Sequence, residues 1–188
     1  MIVVANKKRK LEKIQEENPG AYILDVTSSS EQYEGKILSP FYPHYRIPIP
    51  GESKTVTAAC VEAIWQGLKV FENEGIDLAM FRNDTMKNIK RTVRKFGKPL
   101  GHQYGVFSKT LLNYEDAKRL IYIPAYRYVL ENVPSVIRSL DKIRRMLETQ
   151  DVVLLDYNLN PGNADKSKPL SHAELIKMYL EGNYPTTD

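Results

Sequence analysis

The 188-residue chain contains one cysteine and three histidines, and this scarcity limits the chemistry open to it. A single cysteine cannot form an internal disulfide bond. His44, His102 and His172 lie far apart in the sequence and lack the spacing of zinc ligands. We therefore expect neither a disulfide framework nor a structural metal site, and we predict that the protein uses no cofactor.

Long apolar runs are also missing. No stretch approaches the roughly 18 apolar residues that a membrane-spanning helix needs. Residues 1–10 carry their charges after a very short apolar piece, which is the reverse of a secretory signal. Neither a Gly-x-Gly-x-x-Gly loop nor a Walker-type loop is present, which disfavours the common nucleotide-binding folds. These absences predict a cytoplasmic protein that does not contact membranes.

The chain length and the 42% hydrophobic content are sufficient for one sizeable core. No internal repeat or break in composition marks a domain boundary. We therefore predict a single helix-dominated α+β domain over residues 1–188, in which 1–18 forms a peripheral N-terminal helix. The apolar periodicity and the capping signals predict strands at 21–27 and 151–157, and helices beginning near Thr57, Asn83, Asn113, Pro134 and Ser171.

Positive charge is concentrated between residues 87 and 98. The whole chain has 27 Lys and Arg against 23 Asp and Glu, a net charge of +4. The helix predicted over 83–97 would bury its apolar positions and leave a basic face. That face is either a solvated surface or a phosphate-binding edge. Its basic residues are Lys87, Lys90, Arg91, Arg94, Lys95 and Lys98.

Two short segments carry most of the functional signal, LSPFYP at 38–43 and CVEAIWQGLKVF at 60–71. In the second segment the apolar residues recur at helical spacing. Glu62, Gln66 and Lys69 then follow one another along the same side of the helix. This pattern is typical either of a surface stripe with weak helical pairing or of a stripe that borders a cleft.

The two segments together resemble the signature of the NADAR family of N-glycosidase-like proteins. In that family a segment such as LSNFYP precedes a helix with the pattern S/T-V-E-H-x-Y/F-Q-A-x-K-F. The resemblance covers roughly residues 37–97, with Ala63 where the family usually has histidine and Pro40 where it has asparagine. It implies a NADAR-like fold, a place for Glu62 in the catalytic pocket, and matching positions for Gln66 and Lys69.

The implied activity is hydrolysis of the base–ribose C–N bond in a small phosphorylated ribose or ADP-ribose compound. A carboxylate suits this chemistry because it stabilises an oxocarbenium-like state and orients or deprotonates the attacking water. Under this hypothesis Glu62 has that role and Gln66 orients the base. The remaining substrate contacts would be Tyr42 or Trp65 stacking on the base, and Lys69, Arg91 and Arg94 holding phosphate.

Asp156 is a second candidate catalytic acid, because it ends the strand predicted at 151–157 and is followed by Asn158, a candidate amide partner. An acid that merely ends a strand at a turn is the alternative reading of Asp156. For His172 we predict an ordinary surface histidine, and for Cys60 a small buried thiol.

Two other functions fit the same sequence. One is a non-enzymatic nucleic-acid or nucleotide-binding protein that uses the predicted basic helix 87–98, with the Glu62 stripe as plain surface. The other is an interaction domain that keeps a glycosidase-like fold without its chemistry, which Ala63 in place of the family histidine favours.

Overall fold

The structure, a computed structural model, describes residues 1–186. It is an α+β fold, which confirms the predicted class. Among the described residues the strands are β1 (Ile2–Asn6), β2 (Tyr22–Asp25), β3 (Ile47–Pro48), β4 (Thr57–Ala58), β5 (Lys69–Phe71), β6 (Pro99–Gln103), β7 (Leu111–Leu112) and β8 (Val152–Asp156). The α-helices are α1 (Leu11–Glu17), α2 (Tyr33–Lys36), α3 (Val61–Gly67), α4 (Val93–Phe96), α5 (Tyr114–Ala117), α6 (Ile123–Asn132), α7 (Pro134–Leu147) and α8 (His172–Leu180).

The chain divides into two compact units. The first unit combines Met1–Ser39 with Pro134–Pro185, and the second unit contains Pro40–Val133. The first unit therefore combines two segments that are far apart in the sequence. None of the helices within residues 1–186 is long and apolar enough to cross a lipid bilayer.

A three-stranded parallel sheet forms the centre of the first unit, in the order β1-β8-β2. Every residue of β8 is buried, as expected for the central strand of a parallel sheet. On one face of this sheet, Ile14 of α1 packs with Ala5, Val153 and Leu155 in an apolar cluster. The burial of both faces explains why the apolar run 152–155 predicted a strand correctly.

The N-terminal segment differs from the prediction. Residues 2–6 form β1, and helix α1 begins only at Leu11, so the helix predicted over 1–18 is wrong for residues 1–10. Val3 and Val4 favour a strand because they are β-branched. Beyond β1, the Asn6 side chain accepts a hydrogen bond from the Lys8 N–H at 2.8 Å and forms a turn.

The second unit contains the β3-β4 hairpin and an antiparallel sheet in the order β5-β6-β7. Helix α3 is capped by Cys60, whose Sγ accepts from the Ala63 N–H at 3.3 Å. Thr57, the predicted cap, lies in β4 instead. The Cys60 thiol is buried, as predicted, and burial raises its pKa to about 12.

Helices α5 and α6 are joined without a break by a π-helical segment, Lys118–Tyr122. Pro124 lies in the first turn of α6. It has no N–H to donate to the preceding turn, so the regular α-helical ladder cannot continue through this point. The interruption at Pro124 therefore coincides with the end of the π-helical segment.

The basic helix predicted over 83–97 is wrong. Only α4 is helical in this stretch, and Met86 and Asn88 have φ of 59° and 55°. These left-handed conformations cannot be part of an α-helix. The Asn83 side chain accepts from the Thr85 N–H, and Val93, predicted to face the core, is 59% exposed. A local turn has replaced the helix.

Candidate functional site

In the second unit, residues 40–45, which include most of the first motif, lie against the beginning of α3, which carries the second motif. The Glu62 N–H donates to the Pro40 carbonyl at 2.9 Å. The N–H groups of His44 and Tyr45 both donate to the Ala59 carbonyl at 2.9 Å. These hydrogen bonds hold the loop of residues 40–45 against the beginning of α3. Phe41 adds packing against the buried residues Cys60, Ala63, Met80 and Ile89.

Glu62 is a buried acid, 8% exposed, and Gln66 one helical turn later is buried as well. The Gln66 Nε2 donates to Glu62 Oε1 at 2.9 Å. The Gln66 Oε1 in turn accepts the N–H of Arg91 at 3.1 Å. The interpretation of these residues as a surface stripe is therefore wrong. Gln66 holds the carboxylate of Glu62 in a fixed orientation, which a catalytic acid requires.

Arg91, a predicted phosphate ligand, bonds the protein backbone instead. Its guanidinium donates to the backbone carbonyls of Gln66, Lys69 and Gly75, at 3.2, 2.5 and 2.7 Å. It is also buried, 4.9 Å from the ring centroids of both Phe71 and Phe96.

These contacts engage both terminal nitrogens of Arg91. We infer that Arg91 has a structural role and stabilises the backbone around β5. Arg94, its predicted companion, lies exposed on the short helix α4.

Trp65 lies within a group of side chains that we call the aromatic cluster. Its members are Trp65, His102, Tyr114, Lys118 and Tyr122. The centroid of His102 is 3.8 Å from that of Trp65, with the rings inclined at 32°. Tyr114 and Tyr122 approach Trp65 edge-on, at 6.0 and 5.7 Å. The Nζ of Lys118, a buried lysine, lies 4.5 Å from the Tyr114 ring centroid. The π-helical segment thus supplies both Lys118 and Tyr122.

Electrostatic interactions connect Glu62 with its neighbours. Burial raises the pKa of Tyr114, and the negative charge of Glu62 raises it further. Burial lowers the pKa of Lys69, although the charge of Glu62 opposes this shift. Burial also lowers the pKa of His102 to about 3, with a further contribution from the positive charge of Lys69. The imidazole of His102 is therefore neutral at neutral pH.

Two other predicted substrate contacts of the second unit, Tyr42 and Lys69, are only partly buried. Tyr42 lies in the loop fastened to α3, and its ring centroid is 5.0 Å from that of His44. Lys69 is partly buried in β5, with its Nζ 5.2 Å from the centroid of Phe71. Both remain candidates for ligand contacts.

Sequence reasoning missed four residues of the aromatic cluster: His102, Tyr114, Lys118 and Tyr122. They follow α3 by about 40 to 60 residues. Asn113 did indicate the start of a helix, and its side chain accepts from the Asp116 N–H at 2.9 Å. No local pattern indicates that this helix returns to Trp65, or that a π-helical segment follows it.

Asp156, the second predicted catalytic acid, lies in the first unit at the end of β8. Its Oδ2 accepts from the Ser171 hydroxyl at 2.8 Å and from the Ala173 N–H at 3.3 Å. Its Oδ1 accepts from the N–H groups of Tyr157 and Asn158. The carboxylate is buried and engaged by the beginning of α8, while Asn158 is exposed. This geometry favours the structural alternative for Asp156 over catalysis.

His172 completes this arrangement and is not the surface residue that was predicted. It is buried, with Nδ1 3.1 Å from Asp156 Oδ2 and Nε2 2.8 Å from the Val26 carbonyl oxygen. Burial alone raises the pKa of Asp156, but the charge and hydrogen bonds around it lower the value to about 2, His172 first among them. Burial lowers the pKa of His172, but Asp156, the Val26 carbonyl and the charge of Asp25 together outweigh this and the net shift is upward.

Residues 6–176 match the model of a family of unknown function, DUF6939. The match spans most of both units, so the chain belongs to this family. A search of curated proteins found no match to the chain.

Proposed function

We propose that the protein is an N-glycosidase-type hydrolase that cleaves the base–ribose bond of a phosphorylated ribose or ADP-ribose compound. The observation that supports this most directly is the buried carboxylate of Glu62, held by Gln66 on the helix that also carries Trp65. An acid in such surroundings is costly to bury. Burial of this kind is common where a protein uses the acid chemically.

In this reaction the C–N bond breaks as a water molecule adds to the anomeric carbon. The electron pair of the broken bond leaves with the base, and the sugar passes through an oxocarbenium-like state. Glu62 stabilises this cation and accepts a proton from the attacking water. A purine or pyrimidine takes up one proton as it leaves, whereas the pyridinium of NAD leaves as neutral nicotinamide and the proton from water passes to solvent. Lys69 contributes a positive charge for the phosphate, since the guanidinium of Arg91 is engaged by backbone carbonyls.

The test is a screen for release of free base, by NMR or mass spectrometry. The substrates are ADP-ribose, NAD, ADP-ribosylated guanine nucleotides and ribosylamino-pyrimidine phosphates. We expect the wild type to release base from at least one of them and Glu62→Gln to release none. The amide can still accept from Gln66, so the fold and the melting temperature should be kept.

Glu74→Gln is the matched control, because Glu74 is an exposed acid of the same unit. It should retain wild-type turnover. Full activity in Glu62→Gln would show that Glu62 is not the catalytic acid.

Nucleic-acid binding is a second candidate, favoured by the exposure of five basic residues in the segment 87–98. These are Lys87, Lys90, Arg94, Lys95 and Lys98. Several phosphate contacts would make the affinity for single-stranded DNA or RNA fall steeply with salt, because counterions are released on binding. A pocket that holds one small phosphate ester shows a shallower salt dependence. Steep dependence without base release would favour this second function.

A further inference from the structure

His102 is the clearest unexplained residue of the second unit. It is 2% exposed, and neither Nδ1 nor Nε2 has a hydrogen-bond partner among residues 1–186. Buried polar groups in native proteins are nearly always hydrogen-bonded, because an unpaired one forfeits its hydration without compensation. An orphaned group of this kind calls for an explanation beyond the fold.

The position of His102 is well defined. It lies in β6, in register with Lys69 of β5 and with Leu112 of β7. One face of the imidazole packs against Trp65 at a centroid distance of 3.8 Å. A residue that is fixed by neighbouring strands and by an indole presents its nitrogens in a constant direction, which suits recognition of a ligand.

We propose that His102 is a specificity-determining residue that hydrogen-bonds the base of the substrate. A neutral imidazole offers one N–H donor and one nitrogen acceptor. The two nitrogens point in diverging directions in the ring plane, so one edge of a base meets only one of them. That nitrogen either donates to a carbonyl or ring nitrogen of the base or accepts from its N–H, as the amide edge of guanine or a pyrimidine, or the carboxamide of nicotinamide, allows. This inference rests on the function proposed above, and it identifies which part of the substrate is recognised.

Ligand entry requires a neighbouring side chain to move, because the imidazole is almost fully covered. Trp65 is the side chain that we expect to move, since it is in ring contact with His102 and is itself only half-buried. In the bound state the indole has moved, an edge of the base approaches in the plane of the imidazole, and the ring nitrogen that faces it gains a partner.

The first measurement is a nitrogen-detected NMR spectrum of the histidine rings in the wild-type protein. Guanosine monophosphate, cytidine monophosphate and nicotinamide mononucleotide serve as probes, with ribose 5-phosphate as the control that has no base. We expect at least one nucleotide to shift a ring-nitrogen resonance of His102 and ribose 5-phosphate to leave both unchanged. Nucleotide binding without such a shift would overturn the proposal.

The second measurement compares His102→Phe with His102→Gln. Phenylalanine removes the unpaired polar atoms, so we expect the melting temperature to rise while nucleotide affinity falls about tenfold or more. Glutamine keeps a donor and an acceptor, and should restore part of the affinity. Ribose 5-phosphate should bind all three proteins equally.

If His102→Phe melts at a lower temperature than the wild type and His102→Gln does not, the polar group stabilises the fold. That result would contradict the proposal. If His102→Phe releases base at the wild-type rate and Glu62→Gln releases none, the inference about His102 fails and the proposed function stands. Failure of the wild type both to bind nucleotides and to release base would remove the proposed function and this inference together.

Discussion

Asp156 and His172 form a buried ion pair that makes the stability of the first unit depend on pH. The pKa of Asp156 is about 2, below the ordinary 3.8. Its contribution to stability is therefore complete above about pH 4 and is lost as the pH falls towards 2. The pKa of His172 is raised from the ordinary 6.5. Its contribution is complete below that value and is lost as the pH rises through the raised pKa.

Substitution of Asp156 by asparagine should destabilise the protein strongly at pH 5 to 6, where both contributions are present. Breaking a buried ion pair by removing one partner costs about 3 kcal/mol or more. The measurement is urea denaturation of both proteins over a range of pH, and the difference should shrink towards about pH 2, where wild-type Asp156 becomes protonated. Asp141→Asn, which removes a half-exposed pair with Arg144, should cost about 0.5 kcal/mol or less. Equal costs for the two substitutions would contradict this assignment.

Arg91 and Arg94 provide a second test at this scale, because they are close in sequence and differ in environment. Arg91→Met should lower the free energy of unfolding by about 2 to 3 kcal/mol, since three carbonyls lose their donor. Arg94→Met removes an exposed side chain and should change it by about 0.5 kcal/mol at most. Thermal or urea denaturation measures both. A neutral Arg91→Met would contradict the structural role.

Single residues differed in how far the sequence could predict them. The four-residue spacing of Glu62 and Gln66 was enough to place them on one side of a helix, and their hydrogen bond follows from that spacing. The use of Arg91 was not predictable, because its partners are carbonyls on segments 16 to 25 residues away. His102 could not be singled out, since nothing in its local sequence indicates contact with Trp65.

Among the elements, β2 is an edge strand, and the side chain of Gln32 bonds backbone groups on its outer side. The Gln32 Oε1 accepts from the Asp25 N–H at 2.8 Å, and its Nε2 donates to the Ile23 carbonyl at 3.1 Å. The amide thus takes the place that a neighbouring strand would occupy. Edge strands commonly need such protection against pairing with other chains.

Replacing Gln32 by alanine should cost about 1 to 2 kcal/mol, because two backbone groups of β2 lose their partners. Hydrogen exchange at the Asp25 amide should accelerate more than at the amides of β8. Gln15→Ala, an exposed change on α1, is the control and should leave both quantities unchanged. Unchanged exchange at Asp25 in Gln32→Ala would show that the amide does not protect the edge.

Elements with strong apolar runs were predicted well, and elements governed by local polar contacts were not. β8, α7 and α8 follow directly from their apolar patterns and caps, including the Ser171 hydroxyl that accepts from the Glu174 N–H. The predicted basic helix failed because its periodicity was outweighed by a side-chain turn at Asn83. The π-helical segment has no periodic signature that distinguishes it from an α-helix.

For the whole molecule, the α+β class could be predicted but the two-unit organisation could not. No local pattern in the sequence indicates which distant segments assemble into one unit. The first unit is discontinuous, since β8 pairs with strands that lie well over a hundred residues earlier. Such long-range pairing depends on the fold as a whole.

Deletion of residues 1–6 should therefore damage a sheet whose central strand lies near the other end of the chain. Without β1, one side of β8 loses its backbone partners over five residues. We expect a lower melting temperature and concentration-dependent aggregation, measured by calorimetry and light scattering. A synthetic peptide of residues 1–8 added in trans should partly reverse both effects. A truncated protein as stable as the full chain would contradict the importance of this pairing.

The strand order β1-β8-β2 also has a consequence for synthesis on the ribosome. The N-terminal strands β1 and β2 are made early, whereas β8, which pairs with both, is translated some 125 residues later, about ten seconds at typical elongation rates. Throughout that interval the nascent chain carries two strands that await the same partner. Those strands stay open to pairing with other growing chains until β8 has been made.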